Sequence, residues 1–106
     1  MPTMGALHAG HGTVIRAASA MGPVLVSVFV NPVQFGPDED LARYPRSLES
    51  DLAVAERWGA AALWAPSVEQ IYPQGGERHP STIQVPPGLQ KHLCGAARPG
   101  HFDGVV

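Results

Sequence analysis

The chain has 106 residues, 44% apolar and 15% charged, with a net charge of −2. This is enough for one small domain with a core, and too apolar for wholesale disorder. It offers no electrostatic case for nucleic acid or an anionic membrane, and no apolar run near about 18 residues that would span a bilayer. No basic region followed by an apolar run marks a leader. Cys94, the lone cysteine, cannot form an internal disulfide, which suits a reducing cytoplasm. It is expected to be a buried or half-buried thiol.

Taken in chain order, the first predicted element is a helix over residues 8–21, in which Val14, Ile15, Ala18 and Met21 recur at spacings of three and four. Gly22-Pro23 stops it. "VLVSVFV", Val24 to Val30, is β-branched and apolar, as in a parallel strand buried on both faces. Asn31-Pro32 ends that strand, and a long polar loop runs from Gln34 to Ser47. Ser47 caps a helix over residues 48–58, with Leu48, Leu52 and Ala55 on one face and Gly59 beyond its end. "AALWA", Ala61 to Ala65, is a second short buried strand, stopped by Pro66. "SVEQ" has a capping-box pattern for a helical turn. "YPQGGERHP" is a loop, and "TIQVP", Thr82 to Pro86, is a short edge strand. Gly88 to Leu93 form a helical turn, and a last helix begins near Pro99. Strands alternating with helices predict an α/β fold: a parallel sheet with right-handed crossovers. Ligands of such sheets bind beyond the carboxyl ends of the strands, where "PTMGALHAGH" and "NPVQFGP" both lie.

In the opening segment Gly5 lets the backbone turn and approach a ligand. The following helix N-terminus offers unpaired N–H groups suited to phosphate. His8 and His11 sit on one side of the first turn, and Gly10 leaves room for a base or a phosphate. Two imidazole donors can stabilise charge that builds up when an α-phosphate is attacked. The segment fits neither a Walker A loop nor GxGxxG. Alternatives remain open at this point. The histidines could be a solvated face, or part of a metal site needing a third ligand from His79, His92 or His101, whose spacing forms no metal motif.

"PTMGALHAGHGTVIRAA" resembles the nucleotide-binding signature of the pantothenate synthetase (pantoate–β-alanine ligase) family, with His8-Ala9-Gly10-His11 as its HxGH motif. "VSVFVNPVQFGPDEDLARYPRSLESDLAVAERWGA", "APSVEQIYPQG" and "CGAARPGHFDGVV" match in register and in order. The resemblance implies a Rossmann-like domain with flanking helices. It implies ATP-dependent condensation of pantoate with β-alanine through pantoyl adenylate, releasing pyrophosphate and then AMP. It also implies Mg²⁺ bound with ATP, no metal held by the protein, a cytoplasmic location, and a homodimer. By position, Met4, Gly5, Ala6, Leu7, His8, Ala9, Gly10 and His11 bind ATP. His11 matches the proton donor and His8 lies near the phosphates, so both are expected to be catalytic. Gln34 binds pantoate and later β-alanine, while Thr3 and Met4 line the pantoate pocket. The loop from Phe35 to Arg46, with Tyr44, is expected to form a movable wall.

The sequence departs from the family pattern in two places. Ala9 stands where glutamate is common. Gly12 stands where leucine is usual, at an expected cost to the first helix of about 1 kcal/mol. Arg98 and His101 receive no role from this reading. Residues 1–106 are expected to form a partial Rossmann-like domain lacking the strand that precedes Pro2 and the C-terminal domain, and therefore to be inactive alone. The competing expectations are another HxGH nucleotidyltransferase, or a non-catalytic fragment that binds nucleotide.

Overall fold

The structure is a computed structural model that describes residues 1–35, 44, 47–73 and 83–106. They form two compact units: residues 1–30 with 44–67, and residues 31–43 with 68–106.

The first unit is a parallel three-stranded sheet with two helices. β1 (Pro2–Thr3), β2 (Leu25–Val28) and β3 (Ala62–Trp64) lie in that order, with Pro2 opposite Ser27 and Val26 opposite Leu63. β1, only two residues long, was not anticipated in the segment leading to the turn. It is extended by Ser27 N donating to Met1 O at 3.0 Å and Phe29 N to Thr3 O at 3.0 Å. α1 (Ala9–Ser19) and α2 (Leu48–Arg57) flank the sheet. The core is Leu7, Ile15, Val24, Val26 and Ala55, with Met1, Ala18, Val54, Trp58, Ala60 and Leu63 packed against it.

Apolar spacing placed the helices correctly but misjudged their inner faces. On α1, Ile15 and Ala18 turn inward, whereas Val14 is exposed and Met21 lies beyond the helix, 88% exposed. The inward face includes Gly12, which is buried. A Cβ there would run into the Trp58 ring just after α2. Gly12 is therefore the space that Trp58 fills, not merely a cost to helix propensity. Arg16, one turn further on, sits 4.5 Å above the same ring as a cation–π partner. On α2, Leu48 and Leu52 are about half-exposed, while Asp51 and Ala55 are buried. The strands are not buried on both faces: Leu25 and Trp64 are about half-exposed, and Val26 alone is fully enclosed on β2. Side chains alternate across a strand, and only one alternation faces the helices.

The second unit is built from short pieces. A 3₁₀ turn spans Pro32–Gln34 and another spans Pro87–Gln90, with α3 (Val68–Ile71), α4 (Cys94–Ala97) and α5 (His101–Val105). The edge strand expected over Thr82 to Pro86 is absent across its described residues, 83–86. Val85 satisfies its backbone through side chains instead: its N–H donates to Asp103 Oδ1 at 3.0 Å, and its carbonyl accepts from Gln90 Nε2 at 2.8 Å. α4 was not anticipated. Gly95 turns its bare Cα to the Gln90 backbone, where a Cβ would collide, and Cys94 faces outward, exposed rather than buried. Most of the loop expected to form a wall, residues 36–43, 45 and 46, lies outside the described residues, as does His79.

Candidate active site

Within the first unit, β1 feeds directly into the turn that carries the histidines. Gly5 and Ala6 adopt left-handed backbone, φ +83° and +51°. A side chain at Gly5 would meet Asp51 Oδ2 at 2.8 Å and Val28 at 2.9 Å, so glycine is required on two counts. Thr3 Oγ1 donates to Ser27 O at 2.8 Å and accepts from Gly5 N at 3.2 Å. The Asp51 carboxylate then takes the next two amides: Ala6 N donates to Oδ2 at 3.2 Å and Leu7 N to Oδ1 at 2.7 Å. The Leu7 side chain is buried in the core.

His8 is the N-cap of α1. Its Nδ1 accepts from Gly10 N at 3.1 Å, while its own N–H donates to His11 Nδ1 at 3.3 Å. This is a capping box made of two imidazoles. The tautomers follow: a ring nitrogen that accepts carries no proton, so each neutral ring carries its N–H at Nε2. The rings are tilted by 50° with centroids 4.1 Å apart. His11 is held below its ordinary pKa of 6.5, first by burial and then by the neighbouring His8, against a smaller opposing pull from Asp51. The neutral donor form is therefore favoured near pH 7.

These contacts narrow one expectation. Of the first amides of α1, expected to be unpaired, Gly10 N is taken by His8 Nδ1, and ahead of the helix the Ala6 and Leu7 amides are taken by Asp51. With both Nδ1 atoms accepting, the N–H left on each neutral ring is at Nε2. Gly10 lies against the His8 ring, where a Cβ would stand 2.9 Å from Cε1, so its smallness serves the cap.

Gln34, in the second unit, ends the first 3₁₀ turn. Asn31 caps that turn and is buried: its Oδ1 accepts from Val33 N at 3.2 Å and from Tyr72 Oη at 2.9 Å, and its Nδ2 donates to Gly104 O at 2.7 Å. Gln34 Nε2 donates to the same carbonyl at 3.2 Å. His101 Nδ1 lies 2.7 Å from Gln34 O, and because a carbonyl only accepts, that nitrogen carries the proton. Gly104 fits tightly, since a Cβ would lie 3.1 Å from Gln34 Cγ. A primary amide keeps further donor and acceptor capacity beyond this one bond.

Sequence reasoning named His8, His11 and Gln34 but missed Asp51, Asn31, Tyr72 and Gly104, and gave His101 no role. An acidic residue in a helix beside leucines reads as solvated. Only its partners, about 45 residues earlier in the chain, say otherwise. Among the described residues no group of three or more His, Cys, Asp or Glu is placed to hold a metal ion, and no helix is long and apolar enough to cross a membrane.

Comparison with known proteins agrees with this arrangement. A family model described as pantoate-beta-alanine ligase matches residues 1–106. A bifunctional pantoate ligase/cytidylate kinase of Synechococcus sp. (strain CC9902) is 98% identical over all of this chain, which covers 22% of that protein. The pantothenate synthetase of Nocardioides sp. is 55% identical over all of this chain, which covers 33% of that protein. The crystal structure of a pantothenate synthetase from Thermus thermophilus superposes with a TM-score of 0.87 at 50% identity, over 98% of this chain and 37% of that one. The chain thus spans about a fifth to a third of the curated relatives' length. With the parallel Rossmann-like sheet and the histidine-capped turn in hand, the match over every residue leads to one conclusion: the chain belongs to the pantoate–β-alanine ligase family.

Proposed function

We propose that this chain supplies the nucleotide-contacting turn and a substrate-contacting amide of an ATP-dependent ligase that joins pantoate to β-alanine. The carrying observation is the imidazole capping box, which fixes both Nδ1 atoms as acceptors and leaves two Nε2–H donors. In the first step the pantoate carboxylate forms a bond to the α-phosphorus of ATP, and the bond to pyrophosphate breaks. The β-alanine amine then attacks the acyl carbon and releases AMP. In this reading His11 and His8 donate to the phosphate as charge builds up there, a contribution typical of preorganised donors. Residues Met4 to His11 form the ATP side. Leu7 acts through the core and Ala6 through its amide rather than through their side chains. Gln34 holds pantoate and then the amine, with Met4 and Thr3 along the pantoate side. Thr3 has already committed its proton to Ser27 O.

Mg²⁺ enters with ATP as part of the substrate. The residues of the turn are imidazoles and amides, and the Asp51 carboxylate is occupied by Ala6 and Leu7, whereas magnesium favours oxygen ligands and phosphates. A relative from Francisella tularensis, 39% identical with a TM-score of 0.84, is described as a pantoate-beta-alanine ligase complexed with beta-gamma ATP and beta-alanine; the match covers 97% of this chain and 39% of that one. That supports the same small molecules here. Residues 1–106 as one partial nucleotide-binding domain, a homodimer and a cytoplasmic location belong to the same proposal, on the family resemblance.

The test is His11→Ala in a full-length family member carrying this segment. Pyrophosphate release is expected to fall about 100- to 1,000-fold while the protein stays folded. Release at a rate near that of the unaltered enzyme would remove His11 from the chemistry.

A further inference from the structure

Asp51 is the one charged side chain among the buried described residues, at 3% exposure. A carboxylate withdrawn from water is costly unless its oxygens are hydrogen-bonded. Here both are used, and on consecutive amides: Ala6 N to Oδ2 and Leu7 N to Oδ1. The carboxylate projects from the first turn of α2, an end that Ser47 caps by accepting from Ser50 N. The partial positive charge of a helix N-terminus favours an acidic group there.

The turn it grips cannot hold itself. Gly5 and Ala6 both have left-handed backbone, which L-residues such as Ala6 rarely adopt without outside support. The next residue after Leu7 is His8, whose ring caps α1 and whose amide orients His11. A displacement of the Leu7 amide passes directly into both rings.

We propose that Asp51 is a positioning residue for the histidine pair, fixing through the Ala6 and Leu7 amides the turn from which His8 and His11 are presented. The inference deepens the reading of this turn as nucleotide-contacting and rests on it. A primary amide in place of the carboxylate would keep the shape but offer one acceptor. Its NH₂ group would then oppose one of the two N–H donors.

The experiment compares Asp51→Asn with Ala55→Gly in a full-length family member. Ala55→Gly loosens the same helix, and the core it shares with Leu7, while leaving both Asp51 hydrogen bonds to the turn in place. Three quantities are read: stability, pyrophosphate release per folded molecule, and the midpoint of the His11 ring titration by NMR. His8 and Asp51 are the charged groups acting on that ring. Asp51→Asn is expected to lower turnover about 10- to 100-fold, the scale of a small misplacement of reacting groups, and to move the His11 midpoint down. Ala55→Gly is expected to lose stability with turnover and midpoint unchanged. If the two variants lose stability alike and both keep turnover and midpoint, Asp51 is merely structural and the proposal fails.

A wild-type protein without ligase turnover would defeat the proposed function, not this inference, which then stands or falls on hydrogen exchange at the Ala6 and Leu7 amides. If Asp51→Asn does not fold, hydrogen exchange in the wild type decides. Ala6 and Leu7 amides protected like core amides support the clamp, and exchange as fast as an exposed loop overturns it.

Discussion

The turn from Met4 to His11 and the turn from Asn31 to Gln34 are anchored by different physics. The first stands on a packed apolar core, with Leu7 buried in it and a buried carboxylate beneath. The second unit contributes none of the fully buried apolar side chains found among the described residues. Its turn is held by a polar lattice in which one buried asparagine and one carbonyl, Gly104 O, do most of the tying. Packing energy is spread over many weak contacts, whereas a polar lattice concentrates it in a few directional bonds. Asp51 apart, the histidine turn should therefore tolerate the loss of any one distant contact better than the Gln34 turn does.

Three substitutions and one titration press on that contrast. The largest effect is expected from Gly12→Leu, which restores the residue usual in the family. Helix propensity alone predicts a gain of about 1 kcal/mol. The Trp58 ring occupies that space, so overpacking should instead destabilise by about 1–3 kcal/mol or more. Pairing it with Trp58→Ala should recover part of the loss, and denaturant unfolding of the four proteins measures the coupling.

Next comes Asn31→Ala, which strips partners from Tyr72 Oη, Val33 N and Gly104 O at once. A cost of about 1–3 kcal/mol is expected. NMR shifts should be confined to the second unit, with pantoate affinity reduced and ATP affinity kept. Movement of the His8 and His11 signals would erase the distinction between the two turns.

Gly104→Ala should act more gently in the same direction, because the added methyl presses on Gln34 Cγ at 3.1 Å. Calorimetry with pantoate reports it as a loss of roughly several-fold, the order of 1 kcal/mol.

The smallest effect is the titration. His11 is depressed below 6.5 in the folded protein by burial and by His8, so the unfolded chain binds more protons in the window between that lowered value and 6.5. Stability rises with pH wherever the unfolded state binds more protons. His11 therefore favours folding above 6.5, and that contribution is lost as pH falls through the folded value. The decline in Tm on acidification should be shallower in His11→Asn than in the parent.

From α1 onward, the order of helices and strands in the first unit was legible because each signal was local: a β-branched run, a serine cap, a Gly-Pro stop. The histidines and Gln34 were legible as a motif. What escaped was every feature defined by a partner far along the chain. Asp51 drew no notice, Gly12 looked like a defect until Trp58 filled it, and Leu48 and Leu52, grouped with Ala55 on one face, do not share its burial. "TIQVP" had the alternation of a strand, but Asp103 and Gln90 supply its hydrogen bonds in place of a neighbour. Alternation says which backbone could join a sheet, not whether a sheet is there to join.

The imidazole cap carries a further consequence. At His8 and His11 one ring has two edges with different tasks: Nδ1 fastens the helix start, and Nε2 carries the proton of the neutral ring. Asparagine places an oxygen near where Nδ1 sits, and glutamine reaches nearer to Nε2. The two amides thus divide the ring into its mechanical and its chemical half. A protein with asparagine at both positions would keep its helix start and lose the Nε2–H donors proposed to meet the phosphate. One with glutamine would keep a polar tip over a fraying first turn. The motif resists piecemeal change because neither amide can stand in for both edges of a histidine.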